Sequence, residues 1–477
     1  MAAGRRPEGD AGAAGPERVD LLVTAGTAVT MDPARRVLRD AGVAVRQGAI
    51  VAVGARPDLL RRYRAEERLD VPDGTLTPGY VDAHQHLTGD RLARCTIPDD
   101  LAPGESIFAW AVPLHAAHRP DDDELSATLA AVEAVTNGVT TVIEAGTVAH
   151  PDRVAAALTA VGVRGTVGAW GWDIEDGPFA APAPEILDRL AGVLDAFPPD
   201  PRRLVRGTVT LVGHNLASDE LFVGADRLAR DRQALLTFHL SPTSSDPQHY
   251  LAATGRRPVA HLDHLGVLGP HLLLAHGVWF DDAEVELVLA SGTAVAYCPW
   301  AYLRLAQGVS RVGRHAELVR RGGRVALGCD SENAGDQIDV LRAAALAAGL
   351  AKDMAIDSTA LGATDVFELA TVAGAEAVGL GGVTGSLEVG RRADLVVHRG
   401  DGPQWLPPGE DVALQLVWGT DGRSVRHVVI DGRIVVRDGR CVTVDVDGLS
   451  GAARDASRDL LRRAGLTPRP TWPVTDP

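Results

Sequence analysis

Between Pro78 and about Gly382, short apolar runs alternate with longer amphipathic stretches. The runs are "YVDAHQH" at 80–86, "GVTTVIEAGT" at 138–147, "RGTVGAW" at 164–170, "LVRGTVTLVG" at 204–213, "ALLTFHL" at 234–240, "LLLAHGV" at 272–278, "TAVAYCP" at 293–299 and "RVALGCDS" at 324–331. Such runs, bounded by turn residues, read as strands buried on both faces, and strands that alternate with helices pair in parallel. Eight of these units over about 300 residues predict an α/β fold, a (β/α)8 TIM-like barrel that builds its site at the C-terminal ends of its strands. The flanks read differently. From Asp20 to about Val71, and again after Leu387, alternating segments such as "AGVAVRQGAIVAVGA" and "VRHVVIDGRIVVRDGRCVTV" predict antiparallel β structure. The chain is expected to divide into a mobile tail at 1–19, a small β-sandwich built from both ends at 20–77 and 383–447, the barrel at 78–382, and a C-terminal helix and tail at 448–477.

Of the 477 residues, 45% are hydrophobic and 23% charged, which is ordinary for a globular protein and excludes a disordered or fibrous chain. A net charge of −16 argues against nucleic acid as a partner, because phosphate binding needs clustered Lys and Arg. No stretch approaches the roughly 18 uninterrupted apolar residues of a membrane span, and the first residues carry no apolar signal core. A cytoplasmic protein with no membrane partner is the expectation. The four cysteines, Cys95, Cys298, Cys329 and Cys441, are scattered and fit reduced thiols, with Cys298 and Cys329 packed in apolar strands.

Candidate chemistry begins with Asp82, Ala83, His84, Gln85 and His86, which end the first strand. Alternation puts His84 and His86 on one side, and neutral imidazole is the commonest protein ligand for divalent metals. Two unremarkable histidines would give the same pair. Against that, His239, His276 and Asp330 end the fifth, sixth and eighth strands, at the rim where a barrel places its chemistry.

With these residues in place, the chain resembles the amidohydrolase superfamily, in the branch of chlorohydrolases, guanine and cytosine deaminases and methylthioadenosine/S-adenosylhomocysteine deaminases. The resemblance rests on "PGYVDAHQHL" at 78–87, "HLLLAHGVWFDDAEVELVLASGTAVAYCP" at 271–299, "LAQG" at 305–308, "VALGCDS" at 325–331 and "GSLEVGRRADLVV" at 385–397. It implies that His84, His86, His239 and Asp330 hold one divalent metal ion, Zn2+ or Fe2+. It further implies that Asp330 takes a proton from the attacking water, and that His276, its second nitrogen held by a neighbour, stabilises charge on the tetrahedral centre. A small nitrogen heterocycle as substrate and a homo-oligomer are implied as well. Related binuclear hydrolases bridge two metals with a carboxylated lysine on the fourth strand. The single lysine here, Lys352, follows the eighth, so one metal is expected.

The chain departs from the family where most deaminases of this branch carry a glutamate, three residues after the fifth-strand histidine. That position is Pro242, which has no proton to give. Glu332, Glu144 and Asp246 are candidate replacements, with Glu332 preferred because a strand-like continuation would turn it to the side of Asp330. After the seventh strand, Ala301 and Tyr302 replace the family's Ser-Asn, and with Trp300 they offer aromatics that could sandwich a planar ring. His214 and Gln85 are further candidate substrate contacts, and Trp170 and Trp172 candidate pocket walls. Three functions remain open: hydrolytic deamination of an amino-substituted heterocycle, ring-opening hydrolysis of a cyclic amide or amidine, and a non-catalytic binding barrel. Clustered imidazoles without a metal would be costly to bury, which disfavours the third.

Overall fold

The computed structural model describes residues 15–473 and 475, apart from 90, 175 and 176. Eight parallel strands form the centre: β1 (Tyr80–Gln85), β2 (Val139–Glu144), β3 (Arg164–Val167), β4 in two pieces (Val205–Gly207 and Val209–Gly213), β5 (Leu236–Leu240), β6 (Leu272–His276), β7 (Ala294–Tyr297) and β8 (Val325–Leu327). β1 to the first piece of β4 make one sheet and the second piece of β4 to β8 another. Thr208 N–H reaches Val167 O at 3.0 Å while Val209 N–H reaches Leu235 O at 2.9 Å, so β4 hands the ladder from one sheet to the other. On the opposite side a parallel bridge joins Gln85 to Asp330, and Asp330 N–H donates to His84 O at 2.8 Å. The strands stop earlier than their apolar runs suggest, which leaves His86, Trp170, Trp172 and Asp330 in the turns just beyond them.

Strands from both chain ends make one eight-stranded sheet, ordered Arg440–Cys441, Arg433–Arg437, Val425–Ile430, Leu395–His398, Tyr63–Pro78, Glu17–Val29, Val37–Arg46, Ala49–Ala55. The sheet is continuous because Tyr63–Pro78 pairs on one side with Glu17–Val29 and on the other with Leu395–His398, which joins the two chain ends. An Ala49–Arg392 bridge brings its far edge back toward its middle, around a shared core of Val23, Val43, Ile50, Leu395 and Val429. The expected tail at 1–19 overlaps this sheet. Residues 1–14 lie outside the described residues, but Glu17 is already in a strand, registered on Tyr63 and paired with Arg62 at 3.0 Å.

A buried ion pair ties sheet to barrel. Arg164, at the N-terminal end of β3, meets Asp394 at 2.7 Å and Asp431 at 3.2 Å. The C-terminal helix, Val446–Arg463, packs Leu460 against Leu92, Ala93 and Leu114. Among the described residues no helix is long and apolar enough to cross a membrane. Cys298, Cys329 and Cys441 are buried and Cys95 is exposed, all four as free thiols.

Candidate metal centre and active site

At the C-terminal ends of the strands the five expected residues converge. Ligand atoms of His84, His86 and His239 all lie within 4.8 Å of one another, as do those of His84, His276 and Asp330. His86 Nε2 is 3.3 Å from His239 Nε2 and 3.4 Å from Asp330 Oδ1. His84 Nε2 lies 3.6 Å from Asp330 Oδ1, too long for a hydrogen bond, and has no hydrogen-bond partner. His239 Nδ1 is 2.6 Å from the Val212 carbonyl, which can only accept, so that nitrogen carries the proton and Nε2 presents its lone pair to the centre.

Burial lowers the pKa of His84, and pushes those of His239 and His276 well below the usual imidazole value. Burial alone would raise Asp330, but the His84 and His86 imidazoles beside it hold it well below the usual carboxylate range. Neutral imidazoles around an ionised carboxylate, with an unsatisfied lone pair among them, fit one divalent cation bound by His84, His86, His239 and Asp330. No lysine reaches this centre, since Lys352 lies on helix Val340–Ala355 with its amine 5.7 Å from the Trp418 ring.

Above the centre opens a pocket of about 780 Å3, its mouth included. Its walls are mostly apolar, with Ile107, Phe108, Val112, Trp170, Leu216 and Leu305 among them. Ile107 and Phe108 sit on a π-helical turn, Ser106–Ala111, a distortion that often re-aims side chains at functional sites. His214 lines the wall, its Nδ1 3.1 Å from Asp246 Oδ2 and its ring stacked on His239 at 5.3 Å. Pro242 also lines the wall, so the position of the absent glutamate faces the pocket.

The sequence pattern of the amidohydrolase family matches residues 75–435. The chain belongs to the amidohydrolase family. A 5-methylthioadenosine/S-adenosylhomocysteine deaminase of Syntrophobacter fumaroxidans is 33% identical over 446 residues, covering 94% of this chain and 99% of its own. The zinc-bound adenosine deaminase of Xanthomonas campestris superposes with a TM-score of 0.88 at 30% identity, over 94% of this chain and 100% of its own. The zinc complex of atrazine chlorohydrolase from Arthrobacter aurescens TC1 shares the fold, with a TM-score of 0.84 at 24% identity over 92% and 100%. This chain is accordingly a metal-dependent hydrolase of carbon–nitrogen bonds.

This amidohydrolase does not bring every expected residue to the pocket. Glu332 is buried beside the centre but pairs with Arg91 at 3.1 Å, outside the pocket lining. The expected alternation fails because Asp330 takes a left-handed φ of 65°, which ends the extended chain. Trp300 and Tyr302 do not line the pocket either, because Pro299 starts a helix, Pro299–Arg304, directly after β7. Trp300 turns outward, its ring 5.0 Å from the Arg342 guanidinium. Tyr302 is buried, its hydroxyl accepting from Cys298 N–H at 2.8 Å. Gln85 is buried in the closing bridge and donates to the His86 carbonyl at 3.2 Å. Glu144 accepts from the Gly146 and Thr147 amides at 2.8 and 3.2 Å, fixing the turn after β2, and burial pushes its pKa up to about 7. His276 Nδ1 has no partner, where a neighbour was expected to hold it, because the ring stands among His84, His239 and the edge of Tyr302.

His115 was missed. It lines the pocket, and burial drives its pKa well below the usual value. Its position depends on Gly89, whose φ is 80° and whose hypothetical Cβ would stand 1.8 Å from His115 Cε1. Gly89→Ala is therefore expected to displace the ring, raising KM about tenfold with a smaller change in kcat, as steady-state kinetics would show. An unchanged KM would mean that His115 does not shape substrate binding.

Proposed function

We propose that this enzyme deaminates an amino-substituted nitrogen heterocycle hydrolytically, using one Zn2+ or Fe2+. The observation that carries the reading is the buried cluster of neutral imidazoles around ionised Asp330 at the floor of an apolar, ring-sized pocket. The adenosine-type deaminases to which the chain is similar support the same class of substrate. A divalent ion held by His84, His86, His239 and Asp330 would supply a water acidic enough to give hydroxide near neutral pH. Asp330, held ionised, takes the proton from that water as oxygen adds to the ring carbon. His276 stabilises the charge of the tetrahedral centre. Asp330 passes the water's proton to the departing amine, and ammonia leaves as the C=O bond forms, the hydroxyl proton going to the residue that protonated the ring nitrogen.

The ring nitrogen beside the attacked carbon needs a proton that Pro242 cannot supply. We assign that role to His214, whose Nδ1 is oriented by Asp246, leaving Nε2 for the substrate. His214→Asn should lower kcat about 10²-fold to 10³-fold with metal content unchanged, and Asp246→Asn should lower it less. An unaltered kcat in His214→Asn would remove the assignment. Pro242 favours ring-opening hydrolysis as the second reading, because Asp330 could there act as base and then as acid. The family resemblance supports a homo-oligomer, which size-exclusion chromatography reads directly.

A further inference from the structure

We infer that Trp170 and Gln307 select the substrate of the proposed reaction, as an uncharged heterocycle with an acceptor on one edge, a donor on the opposite edge and an apolar remaining substituent. The inference rests on the reading that the pocket takes a heterocycle, and it begins from two unsatisfied groups in the pocket wall. The Trp170 indole N–H and Gln307 Oε1 are both buried without a hydrogen-bond partner, in side chains that are 3% and 5% exposed. Buried donors and acceptors left unpaired cost stability unless a ligand pairs them.

The Trp170 indole is held in place by its neighbours, and Gln307 is anchored through its backbone. The Trp170 ring is wedged against His115 at 5.3 Å, Trp172 at 5.4 Å and Phe179 at 5.7 Å. The Gln307 backbone is pinned at both ends, its N–H donating to Tyr302 O and its carbonyl accepting from Trp279 Nε1, each at 2.8 Å. Trp170 follows β3 and Gln307 follows β7, so the two lie on opposing sides of an eight-stranded ring and would grip a flat molecule from opposite edges.

The remaining walls set the substituent. Among the described residues no Arg or Lys lines the pocket, and its one carboxylate, Asp330, belongs to the metal centre. A carboxylate substituent would be stripped of water against Ile107, Phe108, Leu216 and Leu305 with no Arg or Lys among the described lining residues to pair it. An alkyl or thioether substituent would meet the same surface favourably.

The test uses the metal-loaded protein and two probes, a diaminopurine with an N9 butyl group and the same compound with the butyl chain ending in a carboxylate. The purine presents ring acceptors on one edge and its second amine on the other. Calorimetry should show the butyl compound binding at least about tenfold tighter than its carboxylate, and Trp170→Phe and Gln307→Leu should each weaken it about tenfold. Metal content and melting temperature in both variants should stay near wild type. Equal or tighter binding of the carboxylate, wild-type affinity in both variants, or no binding of either probe would overturn the inference. Ammonia release is read in the same samples. Binding without ammonia would count against deamination and leave the selection intact, whereas ammonia from both probes at equal kcat/KM would keep the reaction and overturn the selection.

Discussion

Asp330→Asn should lower kcat about 10⁴-fold at saturating metal, while the thermal melt stays close to wild type. The size of the effect follows from two roles in one side chain. Asp330 supplies the negative charge beside the imidazole cluster, 3.4 Å from His86 and 3.6 Å from His84, and it is the residue proposed above as the base. Asparagine keeps the shape and one lone-pair oxygen but neither the charge nor the basicity. Steady-state turnover with metal content measured on the same sample separates loss of metal from loss of the base. Activity within tenfold of wild type in a metal-replete variant would show that proton transfer does not run through this residue.

The largest effect on stability is expected far from the chemistry, at the opposite end of β3. Arg164 and Asp394 have side chains only 2% and 0% exposed, and Asp394 also accepts from Asp431 N–H at 2.8 Å. Removing the guanidinium leaves a buried carboxylate without its counter-ion, so Arg164→Met should cost about 3–5 kcal/mol in a denaturant titration. Adding Asp394→Leu should restore much of that loss, since an apolar pair of similar volume is often neutral relative to a buried ion pair. A double variant as unstable as the single one would show that the pair contributes through shape rather than charge.

Strand periodicity made the barrel and its metal centre legible. A period of two put His84 in β1 and His86 just past its end on one side, and buried apolar runs carried His239 and His276 to the ends of β5 and β6. Legibility failed where the backbone left those regular forms. The left-handed turn at Asp330 sent Glu332 to Arg91 instead of the pocket, and the helix begun by Pro299 carried Trp300 outward. His115, Ile107 and Phe108 come from a segment that joins the pocket through a π turn, whose five-residue step no simple period reveals. The pairing of His214 with Asp246 joins residues 32 positions apart, one in the turn after β4 and the other in the first turn of helix Ser245–Thr254, a contact that needs the folded barrel.

Mass spectrometry of aminated heterocycles and cyclic amides incubated with metal-loaded protein, beside metal-free protein, tests the central claim most directly. Replacement of an NH group by oxygen, with ammonia released only in the metal-loaded sample, is the predicted result. Gain of a whole water without loss of ammonia would contradict deamination and establish ring opening. The same conversion in metal-free protein would contradict the role given to His84, His86, His239 and Asp330.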